Sequence, residues 1–460
     1  MAAAHRKTLN LLLLLSLSVG AATAISSPPV EQTPSPAEKA FTLDNGLRVF
    51  LLERDSVALV NIVAGVNAGS KDETDETSGL AHILEHCLLY RGTDLHSGGE
   101  IARQIRDNGG TFNAHTGQDS ILFEISLPSE HFAFGLKNQK ELLFRLKIGQ
   151  AELEAEKEII REEIRQIEDD PVRLGRALVY QILLAGHPYG RPVYGTPETI
   201  ARLTVRDIKN YYGRLFVPNN TVLAVVGNVP IAEMEARVRE VFADVPRGPE
   251  PPPPPPRPRP LSKTVEITRE LDVEEAYLFL GAAGPDYEDD GQYAADVLAE
   301  ILGQGVNPML AGALRGGRRV LVNSARMDYI ALKRAGAFVA VLTLEPKNLS
   351  VAEREAIAFL RRARTANFTP DDVLGEERLF AFDYLQAAKN GIRFLVQRAW
   401  ESGLGLAMST AQHMLLSTGE SKIVYLDRIA ALKSDDLRSA ADAAFSRDAY
   451  AVVSIVPRKK

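Results

Sequence analysis

Residues 247–260 read RGPEPPPPPPRPRP, and no other stretch narrows the fold as much. Proline fixes φ, removes a backbone donor and breaks helices and central strands, so this segment favours extended polyproline geometry. It divides the chain into two parts of similar length and reads as a stiff spacer between them. The two parts also resemble each other. ALVNIVAGV (58–66) leads through the acidic turn SKDETDETSG into a helix around LAHILEHCLL, and AYLFLGAAG (276–284) leads through PDYEDDG into the helix AADVLAEILG (294–303). One strand–turn–helix unit used twice points to a duplicated domain. A chain of 460 residues also exceeds one ordinary core. The expected division is a first domain at 40–246, a Pro-rich linker at 247–262 and a second domain at 263–460.

The N-terminus belongs to neither domain. MAAAHRKTLNLLLLLSLSVGAATA has basic Arg6 and Lys7, an apolar run from Leu11 to Val19, and small residues Ala22 and Ala24 spaced for a signal peptidase. The run is shorter than the roughly 20 residues that cross a bilayer as a helix. Residues 1–24 therefore read as a secretory signal, 25–39 as a flexible leader, and the mature chain as periplasmic with no stable membrane anchor. A formal net charge of −7 gives no electrostatic reason to expect nucleic acid. The single cysteine, Cys87, excludes an intrachain disulfide and reads as a small buried apolar residue.

The chain has eight histidines, and two of them, His82 and His86, stand four apart with Glu85 directly before the second. On a helix, residues i and i+4 share a face, so both imidazoles can aim at one ion, while Glu85 can reach a water on that ion. This is the HxxEH order, the reverse of HExxH. Two surface histidines would need a solvated helix, and LAHILEHCLL is too apolar for one. The second part has no such pair: a simple alignment sets Asp296, Ala299 and Glu300 at the places of His82, Glu85 and His86.

A catalytic zinc site has three protein ligands and one open position. The third ligand is expected from the glutamate-rich helix LEAEKEIIREEIRQIE (153–168). At 100° per residue, Leu153, Ile159, Ile160, Ile164 and Ile167 form an apolar stripe with Glu156 and Glu163 in its middle, whereas Glu154, Glu158 and Glu162 point away. A carboxylate in an apolar stripe is costly unless it is paired or binds metal. Glu152 sits at the helix start, where carboxylates are common.

With HxxEH followed by this ExxxxxxE pair, the chain resembles the pitrilysin or insulinase family of zinc metallopeptidases, which includes the mitochondrial processing peptidase β subunit. GGTFNAHTGQDSILFEISLP (109–128), HPYGRPVYGTPETI (187–200) and VPNNTVLAVVGNV (217–229) add to the resemblance. It implies an α+β fold of two homologous halves, each a largely antiparallel sheet flanked by helices, forming half of a clam-shell chamber. By resemblance, His82, His86 and Glu163 are ligands of one Zn2+ per chain, Glu85 is the general base, and Glu156 is a carboxylate supporting the ligands. Asn113 and Ala114 would line the sheet edge to which a peptide substrate adds as a strand. The family also uses an arginine with a tyrosine seven positions later; Arg315 stands at the arginine position, but Val322 stands where the tyrosine is expected, and Tyr329 lies further along. Arg315 reads equally well as a surface residue in a basic run with Arg318 and Arg319.

Two readings of function follow. One is a zinc-dependent endopeptidase or oligopeptidase acting on unfolded peptides inside a dimeric chamber. The other is a non-catalytic scaffold or peptide-binding subunit of the same fold. The missing tyrosine makes a heterodimer with a related chain lacking HxxEH the expected assembly.

Overall fold

The computed structural model describes residues 37–316, 320–368, 383–417 and 423–458. The signal segment 1–24, most of the leader, Arg318 and Arg319 lie outside the described residues. The chain forms two mixed sheets flanked by helices. The first contains β1 (Glu38–Thr42), β2 (Arg48–Glu53), β3 (Leu59–Val66), β4 (Thr111–Thr116), β5 (Ile121–Pro128) and β6 (Thr221–Gly227). The second contains β7 (Val265–Leu271), β8 (Ala276–Gly284), β9 (Ser324–Ala331), β10 (Gly336–Leu344) and β11 (Ala451–Pro457). β1 starts at Glu38, so the last residues of the segment expected to be a flexible leader are sheet instead. They are held by antiparallel pairing with β2.

The strand orders are β1-β2-β6-β3-β5-β4 and β7-β11-β8-β10-β9. Apart from the extra β1, one order maps onto the other. The single parallel pair falls at the same place in each, β2 with β6 and β7 with β11. The strand before the first α-helix of each half, β3 or β8, lies mid-sheet and is apolar almost throughout, because both of its faces are covered. The helices after them repeat even a defect. Helix α1 (Leu80–His86) runs into a π turn at Cys87–Arg91, and the helix Gly291–Ala299 runs into a π turn at Glu300–Gln304.

One face of the first sheet packs against α1, α2 (Gly98–Asp107), α3 (Phe132–Phe144) and the helix Ile231–Phe242. Its other face is covered from the far half of the chain. Ala407, Ala411 and Leu415, on the helix Gly403–Leu416, pack on Val63, Leu122, Val222 and Ala224. The exchange is reciprocal. After α4 (Gln150–Asp169), α5 (Pro171–Leu183) leaves its own half and lays Leu178, Val179 and Ile182 on Phe279, Val339 and Val453 of the second sheet. Each sheet therefore buries its second face with a helix from the other half, and neither has a complete two-sided core from its own stretch of sequence.

Gly175 sets how closely α5 approaches. A Cβ there would stand 2.1 Å from Cε2 of Phe279, which is itself fully buried. Gly175→Ala is expected to lower stability by about 1–3 kcal/mol through overpacking, despite the better helix propensity of alanine. The check is a thermal midpoint several degrees below wild type with an unchanged far-ultraviolet spectrum.

The Pro-rich segment is pinned along its length. Asn219 accepts from the Gly248 amide (2.9 Å) and donates to the Pro249 carbonyl (2.9 Å), His187 Nε2 donates to the Pro256 carbonyl (2.7 Å), and Arg257 pairs with Asp286. A chain that spends backbone donors on no ladder is held by side chains from both halves.

Candidate metal centre

Helix α1 begins where the acidic turn ends, and Gly79 makes the corner at φ +93. A side chain there would meet Ile200 and the Tyr194 carbonyl, so the corner takes glycine on two counts. Glu73, buried in that turn, accepts from the amides of Gly79 (3.0 Å) and Ala81 (2.7 Å) and so caps the helix. Burial drives its pKa up to about 8 against those two hydrogen bonds.

α1 is buried from end to end, so its polar residues have no solvent to turn to. His82, Glu85 and His86 are 7%, 6% and 7% exposed. α4 runs alongside and brings Glu163, whose Oε2 lies 3.7 Å from Nε2 of His82 and 3.7 Å from Nε2 of His86. One donor atom from each of the three falls within 4.8 Å of the others. The separations are too long for hydrogen bonds. They suit three donors on one ion, since bonds of about 2.0–2.2 Å at tetrahedral angles set the donors roughly 3.3–3.6 Å apart. His82 turns Nε2 toward Glu163, and burial followed by repulsion from His86 lowers its pKa to about 3. It is thus neutral over the whole physiological range, as a ligand must be.

Glu156, one helical repeat before Glu163, is fully buried. It meets Nδ1 of His86 through Oε2 (3.1 Å) and Arg91 through Oε1. It therefore fixes the ring of His86 while leaving Nε2 toward Glu163, and Arg91 balances its charge. Burial disfavours the His86 cation, but Glu156, Glu163 and Glu85 outweigh that and raise its pKa. Glu85 faces the cluster from the next position on α1. Burial raises its pKa, opposed by the Thr116 hydroxyl, which donates to Oε2 at 2.6 Å, and by His86. Tyrosines flank the histidines edge to face, Tyr194 against His82 (4.6 Å between centroids) and Tyr90 against His86 (5.4 Å).

The other expected residues are placed as follows. Asn113 and Ala114 lie on β4, which ends the sheet and pairs only with β5 among the described residues. Arg315 is exposed at the end of the helix Met309–Arg315, and no contact among the described residues joins it to the cluster. Val322 is buried in the second core, and Tyr329 donates to the Pro285 carbonyl (2.6 Å). Ile159, counted in the apolar stripe of α4, is 43% exposed, because α1 covers a narrower arc than the stripe spans. Cys87 is buried, and burial pushes its thiol pKa up. Arg91, Thr116 and Tyr194 were not legible as site residues. Arg91 stands five positions after His86, out of phase on an α-helix, and reaches Glu156 through the π turn. GTPETI did mark the neighbourhood of Tyr194.

Two sequence profiles match adjoining stretches of the chain. The one described as Insulinase (Peptidase family M16) matches residues 48–197, and the one described as Peptidase M16 inactive domain matches residues 202–377. The chain is 28% identical over 276 residues to an uncharacterized zinc protease of Bacillus subtilis, covering 59% of this chain and 65% of that one. It is 25% identical over 271 residues to a probable mitochondrial-processing peptidase subunit beta of Arabidopsis thaliana, covering 58% of this chain and 51% of that one. The match thus spans less than two thirds of either relative. Among solved structures, a protease from Helicobacter pylori superposes with a TM-score of 0.81 at 22% identity, covering 92% of this chain and 100% of that one. A peptidase M16 inactive domain from Pseudomonas fluorescens does so with a TM-score of 0.79 at 18% identity, covering 92% and 98%.

Proposed function

The chain belongs to the insulinase family, M16, of peptidases, and from that premise we propose that it is a zinc-dependent endopeptidase or oligopeptidase. The observation that carries this reading is the convergence of His82, His86 and Glu163 with Glu85 beside them. It lies in the half matched by the insulinase profile. The relatives named as zinc proteases support zinc as the ion.

His82, His86 and Glu163 would hold the ion, which when bound acts as a Lewis acid on a water and on the scissile carbonyl. Glu85 takes the proton of the attacking water and returns it to the departing amine, serving as base and then as acid. Thr116 occupies one of its two oxygens, which leaves Oε1 for the proton. Glu156 and Arg91 keep His86 turned toward Glu163. A substrate strand added along β4, at Asn113 and Ala114, would run beside the residue that positions the base, since Thr116 closes the same strand. The test is metal content together with hydrolysis of a fluorogenic peptide mixture by the purified chain. A metal-free, inert protein would favour the alternative, a scaffold or peptide-binding subunit.

The setting is proposed from the same reading. The signal-like N-terminus supports export to the periplasm. Val322, buried where a tyrosine hydroxyl is expected, supports a heterodimer whose partner lacks HxxEH and supplies an arginine and a tyrosine across a shared chamber. We expect such a chain to co-purify with this one from its native source and to raise peptidase activity when added. Full activity from this chain alone, unchanged by the partner, would rule the heterodimer out.

A further inference from the structure

The turn between β4 and β5 reads Gly117-Gln118-Asp119-Ser120, and its one carboxylate is 4% exposed. A buried carboxylate has to be met by donors, and Asp119 is met from two distant parts of the chain. The Tyr189 hydroxyl donates to Oδ1 (2.5 Å), and the backbone amide of Lys333 donates to Oδ2 (2.9 Å). Tyr189 is fully buried in the segment after α5, while Lys333 lies in the turn between β9 and β10. Asp119 thus joins the first half to the second with both of its oxygens in use. The side chain of Lys333 extends the join, since Nζ donates to the Leu415 carbonyl (3.1 Å) in the last turn of the helix that covers the first sheet.

The same turn leads back to the partner of Glu85. Thr116, three residues before Asp119, is the last residue of β4, and its hydroxyl donates to Oε2 of Glu85 at 2.6 Å. β4 has only β5 for a neighbour among the described residues, and the end of such an edge strand frays unless the turn beyond it is fixed. Here it is fixed from several sides. The Ser70 and Lys71 amides donate to the carbonyls of Gly117 (3.2 Å) and Gln118 (3.1 Å), and Lys71 Nζ donates to the Asp119 carbonyl. Gly69 lets that segment come so close, since a Cβ there would stand 2.3 Å from the Gln118 carbonyl oxygen. These contacts come from the first half, and the Lys333 amide adds the tie to the second.

We propose that Asp119 is a positioning residue for the hydrolysis assigned to Glu85: by fastening the β4–β5 turn to the second half it sets where Thr116 stands, and through Thr116 where the carboxylate of Glu85 points. The reaction it serves rests on the peptidase reading; the chain of hydrogen bonds does not. The second half thereby takes part in the chemistry without a metal ligand of its own. A reacting group displaced by about 1 Å can cost on the order of 10²-fold in rate, so a bond lost at this turn reaches kcat. Asp119→Asn keeps the size of the side chain and turns one of its two acceptors into a donor. Either Tyr189 or Lys333 then faces a group that cannot accept.

The experiment compares zinc-loaded wild type with Asp119→Asn, Thr116→Val and the double variant. Asp119→Asn is expected to keep its zinc and to lose about 10–100-fold in kcat, with KM within about 3-fold of wild type. Both changes act through one bond, so the double variant should be no slower than Thr116→Val, whereas independent effects would multiply. Crystal structures of wild type and Asp119→Asn should show the Thr116 to Glu85 separation opened from 2.6 Å to beyond about 3.5 Å. Unchanged kcat, multiplying effects, zinc lost from Asp119→Asn, or the bond kept at its wild-type length would overturn the proposal. Should Asp119→Asn fail to fold, Tyr189→Phe takes its place in the same cycle, where removal of one of the two bonds is expected to cost at least about 3-fold in kcat and nothing further beside Thr116→Val; any other result from it overturns the proposal. A wild-type chain that cleaves no peptide would end the peptidase reading, and the bond lengths would still decide whether Asp119 sets Glu85.

Discussion

Glu85→Gln is expected to retain stoichiometric zinc and to lose at least about 10²-fold, and up to about 10⁴-fold, in peptide hydrolysis. The amide is nearly isosteric with the carboxylate and still accepts the Thr116 hydroxyl, which lies 2.6 Å from Oε2, so the fold and the ligand cluster should persist. What disappears is the ability to take a proton. The side chain is 6% exposed, so bulk solvent cannot readily replace it as base. The paired measurement is zinc by atomic absorption and initial rate on a fluorogenic peptide, with the wild-type thermal midpoint as a check on folding. Hydrolysis equal to wild type with zinc retained would remove Glu85 from the mechanism. Loss of zinc together with activity would show that the residue holds the metal centre together instead of moving a proton.

Much of this site was legible because its signals are local. HxxEH places three polar residues on one short apolar helix, and a helix that apolar has to be buried. Glu156 and Glu163 separated from their neighbours on α4 by the same periodicity, and the structure buries the first while exposing about a third of the second's side chain. The duplication was visible in two strand–turn–helix stretches and extends to strand order and to both π turns. The illegible part is what crosses between segments. Nothing in the sequence near α5 says that Leu178 and Val179 belong to a sheet built after residue 264, because an amphipathic helix records that it has a buried face and not what covers it. Arg91 was hidden for a related reason, since a 3.6-residue period assigns it to the wrong face and only the π turn returns it to Glu156. Thr116 contributes a single hydroxyl from a strand more than thirty residues from Glu85, and a lone threonine carries no pattern.

The exchange of helices bears on how the two halves work. In the first half the cleft beside α1 gathers histidines and a glutamate, while in the second the positions aligned with His82 and His86 carry Asp296 and Glu300 and belong to no such cluster among the described residues. The profile named for an inactive domain matches residues 202–377, which include Asp296. α5 and the helix Gly403–Leu416 make each sheet's packing depend on the other half, so a second half that had lost its fold would strip one face of the first sheet as well.

Glu163→Gln should release most of the zinc, whereas Glu156→Gln should keep it bound while costing roughly 10–100-fold in affinity or activity. The two residues sit seven apart on α4, yet their surroundings divide the work. Oε2 of Glu163 lies 3.7 Å from both histidine Nε2 atoms and has no hydrogen bond to either, a position that suits a shared ion, and an amide in its place would offer a neutral, poorer donor to that ion. Glu156 is fully buried and already satisfied, by Nδ1 of His86 at 3.1 Å and by Arg91. Its amide would loosen the aim of His86 and leave the Arg91 charge uncompensated, which weakens the centre without removing a ligand. Glu158→Gln and Glu162→Gln are the controls: both are exposed and, among the described residues, pair only with Arg161 and Arg165 on the same helix, pairs worth about 0–1 kcal/mol, so neither zinc nor rate should move. The four variants are compared by zinc retained after dialysis against a weak chelator and by rate at saturating zinc. Excess zinc should restore Glu156→Gln toward its limiting rate and should not restore Glu163→Gln. Equal zinc loss at all four positions would mean that α4 turns a different face toward the histidines.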